Sequence, residues 1–159
     1  MQQTSKSPAT RANELAVAMQ AGCLGTRVGR LQRLVARRFD QELRPLGLSV
    51  PQLEVLSALM LCAAPVKPSD LAGWLCIERS TMSRNLGLLE QRGLVKTSET
   101  SPTGRSLRVE ITAAGTDALA EAEGAWSAAQ HAVRDIVGDD AASILDTWLA
   151  NLARHDTAD

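Results

Sequence analysis

The sequence predicts a mainly α-helical protein with one β-hairpin, and three observations lead to this prediction. Apolar residues recur every three or four positions through most of the chain, as they do on one face of a helix. Residues 107–112 instead alternate between apolar and polar side chains, a period of two that is typical of a half-buried strand. With 159 residues and 45% apolar content, the chain is long enough to bury one sizeable core.

The N-terminal part of the chain predicts a tail followed by one long helix. Residues 1–12 are polar, include Pro8 and predict a disordered segment. A helical spacing then runs from Asn13 to Leu46, and Gly47 ends it. The apolar stripe of this helix consists of Leu24, Val28, Leu31, Val35, Phe39, Leu43 and Leu46.

Three shorter helices are predicted between residues 49 and 93. Ser49 is placed to cap the first helix, which continues until Pro65. The second helix starts near Pro68, and its Trp74 is expected to pack in the core. The third helix contains the segment "IERSTMSRNLGLLEQRGLV" and ends at Gly93, where a left-handed cap is expected.

A β-hairpin is predicted after the third short helix. Residues 94–98 can pair with residues 107–112, and the segment Ser101 to Gly104 has the composition of a turn. Arg105 follows the tip of this turn. Two short helices joined by a tight turn and followed by a hairpin form a winged helix-turn-helix, which binds DNA through its second helix.

The C-terminal part of the chain is predicted to be helical from Ala113 onwards, with an interruption at Gly138. Its apolar stripes consist of Leu119, Ala122, Trp126, Ala129, Val133, Ile136, Val137, Ile144, Leu145, Trp148 and Leu152. A three-helix lobe cannot cover the stripes at both ends of the chain, so we predict a homodimer. Trp126 and Trp148 are expected to fill the interface, with packing inside the protomer as the alternative.

The third short helix carries an unusual density of hydrogen-bonding side chains at its start. Met82, Leu86 and Leu89 fall on one side of the helix and can anchor it to the core. Its polar side chains can meet base edges, since arginine can bond guanine and asparagine can bond adenine with two hydrogen bonds each. The alternative is an ordinary capped surface helix. The basic tip of the hairpin favours the DNA-binding interpretation.

The charges are segregated along the chain although the net charge is only −1. Residues 79–108 contain six basic and two acidic side chains, whereas residues 110–159 contain ten acidic side chains and two arginines. Such a division is typical of a protein in which one module meets phosphate and another does not.

Several classes of protein are not supported by the sequence. The chain has two histidines and no motif of a hydrolase, metalloprotease or nucleotide-binding loop, so an enzyme is not predicted. Three cysteines without paired spacing support neither a disulfide framework nor a metal site, and no cofactor is predicted. Because neither a membrane span nor the apolar core of a signal peptide is evident, we expect a cytoplasmic protein without membrane contact.

From residue 24 onwards, the sequence resembles the MarR family of transcription regulators. The resemblance is carried jointly by "GLSVPQLEVLSAL", "PSDLAGWLCIERSTMSRNLGLLEQRGLV" and "SPTGRSLRVEITAAG". It implies a homodimer that binds a pseudo-palindromic double-stranded operator, with dimerisation through residues 13–48 and 113–159 and DNA binding through residues 49–112. The recognition-helix positions that it implies are Arg79, Ser80, Thr81, Ser83, Arg84 and Asn85. It also implies that Arg105 enters the minor groove, although Thr103 stands where the family often has an aspartate that holds this arginine.

The resemblance further implies regulation, either by a small aromatic anion bound between the two domains or by cysteine oxidation. Cys23 and Arg27 are four residues apart and are expected to be neighbours on the long first helix. Arg27 or Arg30 could bind the carboxylate of a ligand, and a nearby guanidinium would lower the thiol pKa of Cys23. We predict a repressor released by an aromatic carboxylate. The alternatives are an oxidation-sensing repressor that uses Cys23, a structural role for Cys23, and an adaptor whose winged helix binds protein.

Overall fold

The computed structural model describes residues 6–99 and 107–156, and the chain divides into two units between Arg37 and Arg38. The helices are α1 (Pro8–Gly22), α2 (Leu24–Leu43), α3 (Val50–Met60), α4 (Pro68–Trp74), α5 (Arg79–Gln91), α6 (Ala113–Glu121), α7 (Glu123–Val137) and α8 (Ala141–Asp156). The strands are β1 (Val95–Glu99) and β2 (Leu107–Ile111). The prediction of a mainly α-helical fold with one hairpin is confirmed.

The first unit consists of α1 and most of α2, and it differs from the predicted tail and single long helix. Helix α1 begins at Pro8 because the Ser7 hydroxyl accepts a hydrogen bond from the amide of Thr10, at 3.2 Å. Residues 8–12 are therefore helical, not irregular. Cys23 has an extended backbone and separates α1 from α2, where one continuous helix was predicted.

The second unit begins with the last turn and a half of α2, which is joined to α3 by a short 3-10 turn, Arg44–Leu46. Gly47 ends this turn with a left-handed backbone, φ 66°. Ser49 is the N-cap of α3, as predicted, and its amide donates to the Gln52 side chain at 3.1 Å. Asp40 of α2 accepts a hydrogen bond from the amide of Val50, also at 3.1 Å, and so connects the end of α2 to the start of α3.

Helices α3, α4 and α5 enclose the main hydrophobic core together with the hairpin. The largest fully buried side chains are Leu43, Leu56, Leu71, Met82, Leu89, Val55, Val95 and Val109. Trp74 does not join them, since it is the last residue of α4 and is 61% exposed; the expectation that it packs in the core is wrong. The turn between α4 and α5 contains Cys76, a non-glycine residue with positive φ, 51°.

Strands β1 and β2 are antiparallel, with Val95 opposite Ile111 and Thr97 opposite Val109. Val66 adds a further bridge, because its amide and carbonyl both bond to the backbone of Val109, at 3.0 and 2.9 Å. The predicted strands are confirmed to within a residue. The predicted turn at Ser101 to Gly104 and the wing residue Arg105 lie outside the described residues.

The C-terminal helices carry much less buried surface than the core of the second unit. Helix α6 packs tightly, since a Cβ on Gly115 would lie 2.0 Å from the Leu94 carbonyl oxygen. In α7 only Ala129 is buried, and among the described side chains of α8 none is. The exposed apolar side chains of α7 and α8 are Trp126, Ile136, Val137, Ile144, Leu145, Trp148, Leu149 and Leu152.

Candidate nucleic-acid interface

Helix α5 presents a polar surface at its N-terminal end. Arg79, Ser80, Thr81, Ser83 and Arg84 are all exposed. Met82, Leu86 and Leu89 on the opposite side are buried in the core, as their spacing predicted. The core therefore fixes which face of α5 points outwards, and five of the six predicted recognition residues lie on that part of the helix.

Asn85 is the exception among the predicted recognition residues. Only 9% of it is exposed, and its Nδ2 has no hydrogen-bond partner in the described part of the chain. Asn85 follows Met82 by three residues and precedes Leu89 by four, which places it on the core-facing side. The helical spacing was available in the sequence and is a better guide here than residue type.

The basic side chains of this region divide into free and engaged groups. No described residue accepts a hydrogen bond or forms an ion pair with Arg79 or Arg84, so both guanidinium groups are open to solvent. Lys96 instead pairs with Glu110 at 3.0 Å. Arg108 donates to the Pro65 carbonyl at 3.4 Å. Among the described residues of this region, the arginines free to meet a phosphate or a base are thus Arg79 and Arg84.

A groove of about 330 Å³ runs between the start of α4, one side of α5 and the hairpin. Ser69, Arg79, Ser83 and Thr97 provide polar groups along it, and Leu107 provides part of an apolar wall. The groove shares Arg79 and Ser83 with the exposed polar start of α5 and extends from there to the hairpin.

Glu90 connects α5 to the first strand of the hairpin. Its Oε1 accepts hydrogen bonds from the amide of Thr97, at 3.1 Å, and from the Thr97 hydroxyl. This contact sets the position of β1 against the recognition helix. This contact is not predictable from the sequence, because nothing in the local pattern relates a glutamate in a helix to a threonine seven residues later in a strand.

The predicted regulatory residues lie in the first unit. A hydrogen bond from the Thr26 hydroxyl, reinforced by the Thr26 amide, lowers the pKa of the Cys23 thiol below its usual value. The Arg27 guanidinium is not among the causes of this shift in pKa, and it donates to the Ala21 carbonyl at 2.7 Å. Arg30 is exposed. The amide of Arg27 donates to the Cys23 carbonyl at 3.1 Å, so the two residues remain one helical turn apart although the helix is interrupted at Cys23. The pKa of the thiol is lowered, but by Thr26 and not by the expected guanidinium.

Residues 6–99 and 107–156 contain neither a metal-binding cluster nor a membrane-spanning helix. No group of three or more histidine, cysteine, aspartate or glutamate side chains there is arranged to hold a metal ion. No helix in this part of the chain combines the length and apolar content needed to cross a bilayer.

Comparison with known proteins identifies the fold and the family. A family model described as a winged helix DNA-binding domain matches residues 48–115. The transcriptional regulator MosR of M. tuberculosis has 30% sequence identity and a TM-score of 0.73, over 87% of this chain and 98% of that one. MosR in complex with DNA has 33% identity and a TM-score of 0.69, over 87% and 97% of the two chains. No curated protein sequence matches this chain.

Two further solved structures of transcription regulators are similar to this chain. The transcriptional repressor CouR, of Rhodococcus jostii RHA1, bound to a 23-mer DNA duplex has 28% identity and a TM-score of 0.69, over 85% of this chain and 95% of that one. A MarR-family regulator from Rhodococcus sp. RHA1 shares the fold at 21% identity, with a TM-score of 0.69 over 94% and 96% of the chains. The winged helix, the exposed basic start of α5 and the likeness to MosR show that the chain belongs to the MarR family of DNA-binding transcription regulators.

Proposed function

We propose that the protein is a sequence-specific repressor that binds a pseudo-palindromic operator as a homodimer. The observation that carries this proposal is the exposed start of α5, where Arg79 and Arg84 have no acceptor in the described part of the protein. In a winged helix-turn-helix, this end of the second helix enters the major groove. The solved complexes of MosR and of the repressor CouR with DNA support this use of the fold.

The base-reading residues in this proposal are the five exposed side chains at the start of α5, with Arg105 of the wing in the minor groove. Asn85 is left out of this set because it is buried. Because the minor groove is read mainly through its width and potential, Arg105 contributes to affinity more than to base recognition. Thr103 offers no charge to hold Arg105 in place.

The homodimer is supported by apolar surface that the described chain leaves uncovered. In the first unit the exposed apolar side chains are Leu15, Val17, Met19, Leu24, Val28, Leu31 and Leu34. Those of α7 and α8, including Trp126 and Trp148, add a second set. Uncovered apolar side chains repeated along whole helices are typical of an interface. We therefore propose dimerisation through residues 13–48 and 113–159 and DNA binding through residues 49–112.

Selection from a randomised duplex pool tests the function directly. The wild-type protein should enrich a sequence with two related half-sites about one helical turn apart, and its affinity should fall steeply as salt is added. Analytical ultracentrifugation of the complex should give two chains per duplex. Failure to enrich any sequence, together with retention of a protein partner, would favour the adaptor interpretation instead.

For release from DNA, we propose a small aromatic carboxylate that binds near Arg27 or Arg30 and favours the DNA-free conformation. Arg30 is exposed, while Arg27 would exchange its bond to the Ala21 carbonyl for one to the ligand. A panel of such acids titrated against the preformed complex tests this proposal, with Arg30→Ala and Arg27→Ala as the variants that should lose the response.

Oxidation of Cys23 is the second candidate for regulation, and one observation favours it. The hydrogen bonds from Thr26 lower the pKa of the thiol, which raises the fraction of reactive thiolate near neutral pH. Mild peroxide should then release the DNA from the wild type and not from Cys23→Ser. Release of DNA by peroxide, without release by any of the aromatic acids, would support regulation by oxidation of Cys23. Either form of regulation is proposed to operate in the cytoplasm.

A further inference from the structure

Arg92 lies at the C-terminal end of α5, at the other end of the helix from the exposed DNA-facing side chains. Its backbone is held firmly in place. The amide of Gly93 donates to the Glu90 carbonyl at 2.8 Å, and the amide of Leu94 donates to the Leu89 carbonyl at 2.9 Å. Gly93 has the left-handed backbone that closes a helix in this way, φ 70°.

The Arg92 guanidinium reaches the turn that follows α2. Its Nη1 donates to the Gly47 carbonyl at 2.6 Å, and its Nη2 donates to the Leu46 carbonyl at 3.1 Å. These acceptors lie more than forty residues earlier in the sequence. Two donors of one planar group on two consecutive carbonyls define an orientation as well as a distance.

The acceptor turn is itself well fixed. The amide of Gly47 donates to the Arg44 carbonyl at 2.9 Å, and both Leu43 and Leu48 are buried in the core. The carbonyls that Arg92 uses belong to a helix end, where they lack partners within the helix. The nearby bond from Val50 to Asp40 joins the end of α2 to α3. Arg92 therefore connects α5 to a rigid junction.

We propose that Arg92 is a positioning residue that fixes the tilt of the recognition helix by holding its C-terminal end against the turn after α2. This inference rests on the proposed binding of an operator by the start of α5. A helix of 13 residues is about 20 Å long, so a tilt of about 5° at one end moves the other end by about 2 Å. Bidentate contacts to a base tolerate much less displacement than that.

The test compares Arg92→Ala, Arg92→Lys and Arg44→Ala with the wild type. Arg44 is an exposed arginine in the same turn, and its side chain makes no hydrogen bond to any described residue, so Arg44→Ala removes the same charge without removing the clamp. Each protein is titrated against the duplex selected by the wild type and against a scrambled duplex, at several salt concentrations. Thermal unfolding establishes a temperature at which all four proteins are folded.

We expect Arg92→Ala to lower the ratio of operator to scrambled affinity about tenfold, because two charge-assisted hydrogen bonds are lost. Arg92→Lys should recover only part of the ratio, since an ammonium group lacks the planar fork. Arg44→Ala should leave the ratio unchanged. An equal loss on both duplexes with a shallower salt dependence would make Arg92 a phosphate contact and overturn the proposal, as would an unchanged ratio in Arg92→Ala.

Hydrogen exchange separates this proposal from the proposed function. Arg92→Ala should accelerate amide exchange at residues 46–48 and 89–94 and leave β2 unchanged. Should the wild type select no operator, the proposed function fails, while unchanged exchange in Arg92→Ala would overturn the positioning role by itself. Accelerated exchange spread through α3 and β2 as well would show a general loss of stability and would also overturn it.

Discussion

The winged-helix core and the terminal helices bury their apolar side chains to very different extents. In the core, Leu56, Leu71 and Leu89 are completely buried. In α1, and among the described side chains of α8, no residue is buried, although α1 contains Leu15 and Val17 and α8 contains three leucines and Trp148. The same apolar periodicity therefore serves two purposes. The helices of the winged-helix core bury their apolar side chains within the chain. The terminal helices are proposed to bury theirs against a second chain.

The largest expected effect comes from matched leucine substitutions in the two regions. Leu56→Ala should lower the free energy of unfolding by about 2–5 kcal/mol, because Leu56 is fully buried and a cavity would remain. Leu152 is 66% exposed, so Leu152→Ala should act only through the dimer. Thermal unfolding at several protein concentrations measures both effects. A midpoint of the wild type that does not rise with concentration would remove the distinction between the regions.

Two glycine-to-alanine substitutions, one in α6 and one in α7, should have smaller effects on stability that are opposite in sign. Gly115→Ala should destabilise the protein by about 1–3 kcal/mol, because the new Cβ would overlap the Leu94 carbonyl oxygen. Gly124 in α7 has no atom within 4 Å of such a Cβ. Gly124→Ala should therefore stabilise the helix by up to about 1 kcal/mol. Chemical denaturation of both variants measures the sign of each change in the free energy of unfolding. If both variants are destabilised, α7 is more closely packed than the single chain shows.

Cys23 in the first unit should react faster than an ordinary cysteine. Because Thr26 lowers the pKa of this thiol, the thiolate is present at lower pH than in an ordinary cysteine. Thr26→Val should shift the pH dependence of alkylation by iodoacetamide upwards and slow the reaction several-fold at pH 7.5. Thr26→Ser retains the hydroxyl and should behave like the wild type. Peptide mass spectrometry follows Cys23 separately from Cys62 and Cys76.

The smallest effect is expected at Glu54 on α3. Desolvation raises the pKa of this carboxyl, so its charged form is disfavoured in the folded protein. The free energy of unfolding should fall slightly as the pH rises from the usual carboxyl pKa through the raised one. Glu54→Gln should remove this fall and stabilise the protein at pH 7 by less than about 0.5 kcal/mol, since the side chain is only partly desolvated and remains exposed. A larger gain at pH 3 than at pH 7 would contradict the assigned sign.

The two regions also differ in how far the sequence predicts them. The short helices and the strands follow from local periods and caps such as Ser49, and the structure confirms them. The division of the first helix at Cys23 was missed, although Gly22 and Gly25 on either side weaken a helix there. The spacing of Asn85 to Met82 and Leu89 predicts its buried position, whereas its residue type alone favours a base contact.

Other features could not be read from the sequence because they depend on distant contacts. The bonds from Arg92 to the turn after α2, and from Thr97 to Glu90, join segments that share no local pattern. The sequence also does not show which arginine side chains donate hydrogen bonds within the chain and which do not. Arg79, Arg84, Arg92 and Arg108 look equivalent in the sequence, and only the fold shows that the first two have open guanidinium groups.

The most direct test of DNA reading by α5 is the change in base preference caused by Arg84→Ala. Wild type and variant are titrated against the selected operator and against duplexes with single base-pair changes in each half-site. We predict that Arg84→Ala costs about 1–3 kcal/mol on the operator and abolishes discrimination at one base pair of each half-site, with little change on scrambled DNA. Equal losses on operator and scrambled DNA, with discrimination intact at every base pair, would contradict base recognition by Arg84 at the start of α5.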